Sequence, residues 1–166
     1  MAATISSLST AKTVQRLTGT TGANAMLATL TANNPPGGAA AAIYQITAQN
    51  VAADLAERST TVRYPALNVY CEKIVNDLTE KFQTFSGRVV MAIEIRHSQD
   101  GIEGLESAVE GYVDAVMQVL DANRGDWSDG MYYAGGYQVS FGPVKHGGKN
   151  FIQIAKVSFE IVVGVN

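Results

Sequence analysis

The stretch Phe141–Phe151 reads FGPVKHGGKNF and carries three glycines, two lysines and a histidine. Such residues can cradle a phosphate, with backbone amides wrapping the anion and an ammonium neutralising it. The spacing rules that chemistry out. A P-loop runs Gly, four residues, then Gly-Lys-Ser/Thr. From Gly142 the second glycine falls at Gly147, but Gly148 stands where the lysine belongs. Counting back from Gly148-Lys149 puts Pro143 at the first glycine, and Asn150 replaces the hydroxyl that would hold magnesium.

Other catalytic arrangements are thinner still. His97 and His146 have no partner pattern near them. Cys71 is the only cysteine and sits at an apolar parity, which suits a buried, inert thiol. One cysteine and two histidines give no zinc spacing, and Asp100, Asp126 and Asp129 are not spaced like a calcium loop. The expectation is a chain that is not an enzyme and holds no cofactor or metal.

Two surface features remain. Glu103, Glu106, Glu110 and Asp114 step by three, four and four residues, with no Lys or Arg between Arg96 and Arg124. On a helix such like charges repel by a few tenths of a kcal/mol per pair. They form either an ordinary solvated face or a negative surface, which would meet a basic partner or repel a passing polyanion. The second feature is GDWSDGMYYAGGY, Gly125–Tyr137, with Trp127, Tyr132 and Tyr133 among glycines. These aromatics either anchor an interface or cap the open end of a sheet.

The elements that carry these residues can be read from periodicity. Leu8–Thr18 and Ala23–Ala32 read as helices broken at Gly19–Gly22; residues 43–48 read as a strand or a helix start, and Asn50–Arg58 as a helix. Tyr64–Ile74 and Arg88–His97 read as strands, joined by a short helical or turn connection over Asn76–Phe82. The clearest helix spans about 101–122, with Asp100 as N-cap and Glu103 completing a capping box. Its apolar stripe, Ile102, Leu105, Val109, Tyr112, Val113, Val116 and Leu120, must be buried on a sheet. Tyr137–Phe141 and a long run from Phe151 to Val163 alternate as strands. FGPVKHGGKNF is then the connection of a β-hairpin, with Lys145, His146 and Lys149 decorating its tip. The expected fold is α+β: a four-stranded, mostly antiparallel sheet in the order β-β-α-β-β, one main helix packed on one face, and a partly helical N-terminal region.

Composition sets the wider bounds. The chain has 166 residues, 46% hydrophobic and 16% charged, enough for one domain with a core plus an appendage. No apolar run approaches the ~20 residues of a membrane span, and the N-terminus lacks the build of a signal peptide. A lone cysteine fits a reducing compartment. A net charge of −3 does not advertise a nucleic-acid binder. Residues 1–53 contain Lys12 and Arg16 and no carboxylate, whereas all 15 acids lie between Asp54 and Glu160. The organisation expected is an Ala/Thr-rich N-terminal assembly arm over 1–60, hinged near 33–38, and a denser domain over 61–166. Such a weakly charged arm lies against the domain or against a neighbouring subunit.

RYPALNVYCEKIVNDLTEKFQTFSG, VVMAIEIRHSQDGIEGLESAVEGYVDAVMQVLDANRGDW and GGYQVSFGPVKHGGKNFIQIAKVSFEI, taken in that order, resemble tail-terminator or tail-completion proteins of tailed bacteriophages. The resemblance covers about Val51–Val163 and lies in the order of segments more than in any motif. It implies a small α/β subunit of a closed ring, usually a hexamer, in the virion neck, assembled in the host cytoplasm. The ring caps the finished tail tube, ends its polymerisation and meets a head-side neck protein. DNA passes through its lumen without sequence recognition, and no membrane is involved. The opening loop then becomes a contact tip toward the next subunit or ring, or else a charged hairpin end that serves only solubility. Two other readings stay open: another neck or tail-tube subunit, and a small intracellular ligand-binding domain.

Overall fold

The computed structural model describes residues 2–33, 41–52, 55 and 62–166. In chain order the elements are α1 (Ala2–Thr18), α2 (Ala23–Asn33), β1 (Gln45–Thr47), β2 (Ala66–Asn76), β3 (Phe85–Gln99) and α3 (Leu105–Ala122). Then come β4 (Gly125–Ser128), β5 (Met131–Tyr133), β6 (Tyr137–Phe141), β7 (Lys145–Gly147) and β8 (Asn150–Val165).

β8 organises the sheet. Along it Ala155, Val157, Phe159, Ile161 and Val163 are buried and share one face. One edge of β8 pairs antiparallel with β3 over its whole length, from Gln99 opposite Phe151 to Phe85 opposite Val165. The other edge is shared by three short strands: β7 at Asn150–Ile152, β6 at Ala155–Phe159 and β5 at Val162–Val163. β2 pairs antiparallel with β3, and β1 adds to β2 in parallel. The expected four-stranded sheet with one main helix is therefore incorrect. The chain is α+β, but its sheet has eight strands, mixed and curled into a half-barrel. The strands absent from that expected sheet are β4, β5 and β7, together with β1, which falls in the 43–48 run read as a strand or a helix start; each has three or four residues. That is too short for alternation to register.

The inner face is filled by helices. α3 buries Leu105, Val109, Tyr112, Val113, Ala115, Val116, Val119 and Leu120 against β3 and β8. Its start differs from the expected cap. Asp100 does not cap it; Gly104 does, at φ 77° and with no side-chain bond. The chain spends 101–104 in a turn, where Gln99 Nε2 donates to the carbonyls of Gly101 (2.8 Å) and Glu103 (2.7 Å).

α1 and α2 join the same core, and Ile5, Leu17, Ala23 and Leu27 belong to one buried cluster with the sheet. The stripe α1 buries is Ile5, Ser9, Thr13 and Leu17, at four-residue steps. Two of these are polar, but Ser9 Oγ donates to the Ile5 carbonyl and Thr13 Oγ1 to the Ser9 carbonyl, both at 2.8 Å. The helix thus satisfies its own buried hydroxyls and keeps a slim face toward the sheet. Asn24 on α2 holds the incoming chain, accepting from Ile43 N (2.7 Å) and donating to Ile43 O (3.1 Å). The expected hinge at Pro35–Gly38 lies outside the described residues, as does most of the helix expected over Asn50–Arg58.

The two cations of α1 act together. Lys12 Nζ donates to the Trp127 carbonyl at 2.6 Å and pairs with Asp129 at 2.8 Å. Arg16 lies over the Trp127 ring, 3.9 Å from its centroid. α1 also packs on β1 and β2, so it ties the β1–β2 side of the curled sheet to the β4–β5 hairpin. Lys12 is largely buried and Asp129 largely exposed, which separates their energetic roles. Lys12→Ala leaves a carbonyl without its charged donor and should cost about 1.5–3 kcal/mol in urea unfolding. Asp129→Asn should cost no more than about 1 kcal/mol, as exposed pairs do. Equal costs, or a neutral Lys12→Ala, would show that α1 is held by something else.

Candidate functional site

The chemistry-bearing residues read from the sequence are spread over the molecule. Lys145, His146 and Lys149 lie exposed on the β7–β8 hairpin. His146 pairs opposite Phe151 and Gly147 opposite Asn150, leaving Gly148-Lys149 as a two-residue turn. Gly148 takes φ 72°, the requirement of the first central position of a type II′ turn. Lys149 thus stands at the corner, and the His146 ring packs edge-on to Phe151 at 5.0 Å. The loop opens onto strand on both sides rather than onto a helix.

Glu103, Glu106, Glu110 and Asp114 are all exposed, on the turn before α3 and along its outer side. The aromatic trio splits. Trp127 and Tyr133 are buried, at 5.5 Å from one another, and both rings meet Phe159. Trp127 Nε1 donates to the Asn123 carbonyl at 2.7 Å. These two close one end of the sheet, while Tyr132 stays half-exposed opposite the exposed Val162. The hairpin that carries them turns at Asp129-Gly130, at φ 56° and 73°, a type I′ pair. That Asp-Gly dipeptide was the available sequence signal for β4 and β5.

One prominent surface feature has no signature in the sequence. The β2–β3 connection presents Leu78, 60% exposed, and Phe82, 101% exposed. Both have positive φ, 46° and 87°, a conformation that costs an L residue about 1–2 kcal/mol. The base of the connection is tied down. Asp77 N and Leu78 N both donate to the Ser86 carbonyl at 3.0 Å. Asn76 Oδ1 accepts from Ser86 N at 3.1 Å, and the Thr79 and Ser86 hydroxyls meet at 2.7 Å. An exposed apolar pair is thus held on an ordered base.

The outer face of the sheet carries a charged ladder. Tyr70 donates to Glu94 at 2.9 Å, Glu94 pairs with the buried Arg96, and Lys156 pairs with Glu72. Burial and the Glu94 carboxylate push the Tyr70 phenol up. Beside β2, a groove of about 760 Å³ is bounded by Ser6, Thr10, Gln49, Tyr70 and Glu72, among others. Among the described residues no three His, Cys, Asp or Glu side chains gather as metal ligands. No protein-family model matches the chain, and no curated protein sequence matches it.

Phe82 buries nothing, so Phe82→Gly should leave urea stability unchanged or raise it by up to about 1 kcal/mol. A loss beyond about 1 kcal/mol would mean that Phe82 packs within the single chain. His97, at 5.5 Å from the Tyr112 ring, has Nδ1 buried without a partner, and burial holds its pKa below the ordinary 6.5. Its neutral form therefore supports the fold above about pH 6.5, and that support is lost as pH falls through the folded pKa. The difference in stability between wild type and His97→Phe should shift in favour of the variant between about pH 7 and pH 5. Parallel curves would refute the assignment.

Proposed function

We propose that this chain is a non-catalytic structural subunit of a tailed-phage virion. It forms a closed, six-fold ring that caps the tail tube, ends its polymerisation and joins the tail to the head-side neck protein. Phe82 carries this reading: an exposed aromatic in a costly backbone conformation, on a connection tied down at its base, suits burial by another protein. The order of segments over about Val51–Val163 supplies the viral context.

In this reading the two charged surfaces meet across subunits or rings. Lys145, His146 and Lys149 contact protein rather than nucleotide, and Glu103, Glu106, Glu110 and Asp114 of a neighbour are their partners. Each such rim pair is worth about 0–1 kcal/mol, but a ring repeats it in every subunit. The acidic side chains also keep DNA from adhering if they face its path. A second reading, a small ligand-binding domain, draws on the groove beside β2, whose lining mixes hydroxyls, two amides, a carboxylate and a lysine.

The test is the double reversal Lys145→Glu with Lys149→Glu. Joined heads and tails should fall by about tenfold or more, since 1.4 kcal/mol is a decade in an equilibrium, with the thermal transition of the isolated protein unchanged. The defect should deepen at low ionic strength, where screening is weak. Joining indifferent to the double change, or ATP binding that the change abolishes, would sink the proposal.

A further inference from the structure

Of the sheet margins that no described strand pairs, two lie on opposite sides of the sheet and run in opposite directions. One is β2 beyond Asn68, where β1 ends. The other is the side of β6 that faces away from β8. The hydrogen bonds fix which residues point outward. Tyr44 N and Gln45 N both donate to the Pro65 carbonyl, at 2.8 and 3.3 Å, so the odd-numbered residues of β2 turn their amides and carbonyls to that margin as far as Cys71. The irregularity between Cys71 and Lys73 shifts the phase. Asp77 N then bonds to Ser86 O on the β3 side at 3.0 Å, which leaves Ile74 and Asn76 pointing outward. On β6, Gly142 N donates to the Ile154 carbonyl at 2.8 Å, so Val139 and Phe141 turn theirs away from β8.

We propose that β6 of one copy adds as a strand to the free margin of β2 in the next copy, making one continuous antiparallel sheet around the ring. The proposal rests on the ring reading and names its interface. β6 runs antiparallel to β8, β8 to β3, and β3 to β2. Within one copy β6 therefore runs opposite to β2, from the opposite margin of the sheet. Copies related by rotation about an axis along the strands bring the two margins together already antiparallel, the more stable pairing. The contact is head-to-tail, the kind that closes into a ring.

The space and the side chains agree with this occupant. A groove of about 760 Å³ runs along β2 from Val69 to Ile74, lined also by Ser6, Thr10 and Ala11 of α1 and by Gln49. An edge left unpaired among the described residues would otherwise invite indiscriminate pairing. Phe141 is 51% exposed and Ile74 36% exposed, and an aromatic opposite a β-branched residue is a favourable cross-strand pair. Val139 and Phe141 lie opposite the buried Val157 and Ala155, and Cys71 lies opposite the buried Met91. All three side chains thus belong to the inner face, so they remain on one face when the sheets join.

Cys71 is the only cysteine, which makes the interface testable by cross-linking. Val139→Cys and Phe141→Cys, each made separately, are oxidised mildly both as purified protein and in assembled particles. At least one should give a reducible ladder of dimers, trimers and larger species, because each copy then carries one thiol on each margin. Adding Cys71→Ser should remove every species above the dimer. Adding Ile74→Pro should remove the ladder while leaving the thermal transition in place, since proline at an outward-facing edge position spares the β2–β3 bonds. If both variants stop at dimers while sedimentation shows the wild type as a closed oligomer, the ring stands and this interface is wrong. If the wild type sediments as a monomer and occurs singly in particles, the ring reading fails and the interface with it.

Discussion

Everything in this molecule hangs on the pairing of β3 with β8. The two strands run antiparallel in unbroken register for fifteen residue pairs. At about 3.3 Å per residue that ribbon is about 50 Å long. Twist over such a length curls any sheet built on it. The curl shapes the remaining elements. Three short strands rather than one long one cover the second edge of β8, each following the bend separately. The concave side then needs filling, and α3 alone does not fill it.

The N-terminal region supplies the rest. α1 lies against β1 and β2 and reaches the β4–β5 hairpin, and α2 lies against α3. The charge asymmetry of the sequence gains a physical meaning here. Lys12 and Arg16, the only charged residues before Asp54, both meet Trp127. They are fasteners of one helix to one hairpin rather than solubilising charges. Residues 2–33 lie against the domain itself, one of the two placements that their weak charge allowed.

Much of this was legible in the sequence, for identifiable reasons. Alternation over Arg88–His97 and Phe151–Val163 marks the central ribbon, because a long strand repeats its period often enough to be read. The stripe from Leu105 to Leu120 marks α3 for the same reason. A hairpin joining Tyr137–Phe141 to the last strand was readable from its flanking strands and its paired glycines, but β7 inside the connection was not. The face of α1 was not, because half of its buried stripe is Ser9 and Thr13, whose hydroxyls bond backward within the helix. β4, β5 and β7 escaped because three or four residues carry too little periodicity, which also left 43–48 open between strand and helix, although Asp129-Gly130 announced one hairpin. Among the candidate residues, Trp127 and Tyr133 proved to be core and Tyr132 surface. Composition cannot separate these, since all three stand in one glycine-rich run. Phe82 escaped because nothing in a sequence marks a phenylalanine as pointing away from its own protein.

The proposed ring would use the continuous ribbon, the margins left unpaired among the described residues, and the ordered projecting tips. The functional reading depends on repetition of the chain more than on any single residue. Native mass spectrometry of the purified chain, alone and after incubation with tail-tube ends, tests it most directly. The account predicts one closed oligomer of fixed stoichiometry, a hexamer, that forms alone or on the tube. A monomer at every concentration, indifferent to the tube and carrying a bound small molecule, would contradict it.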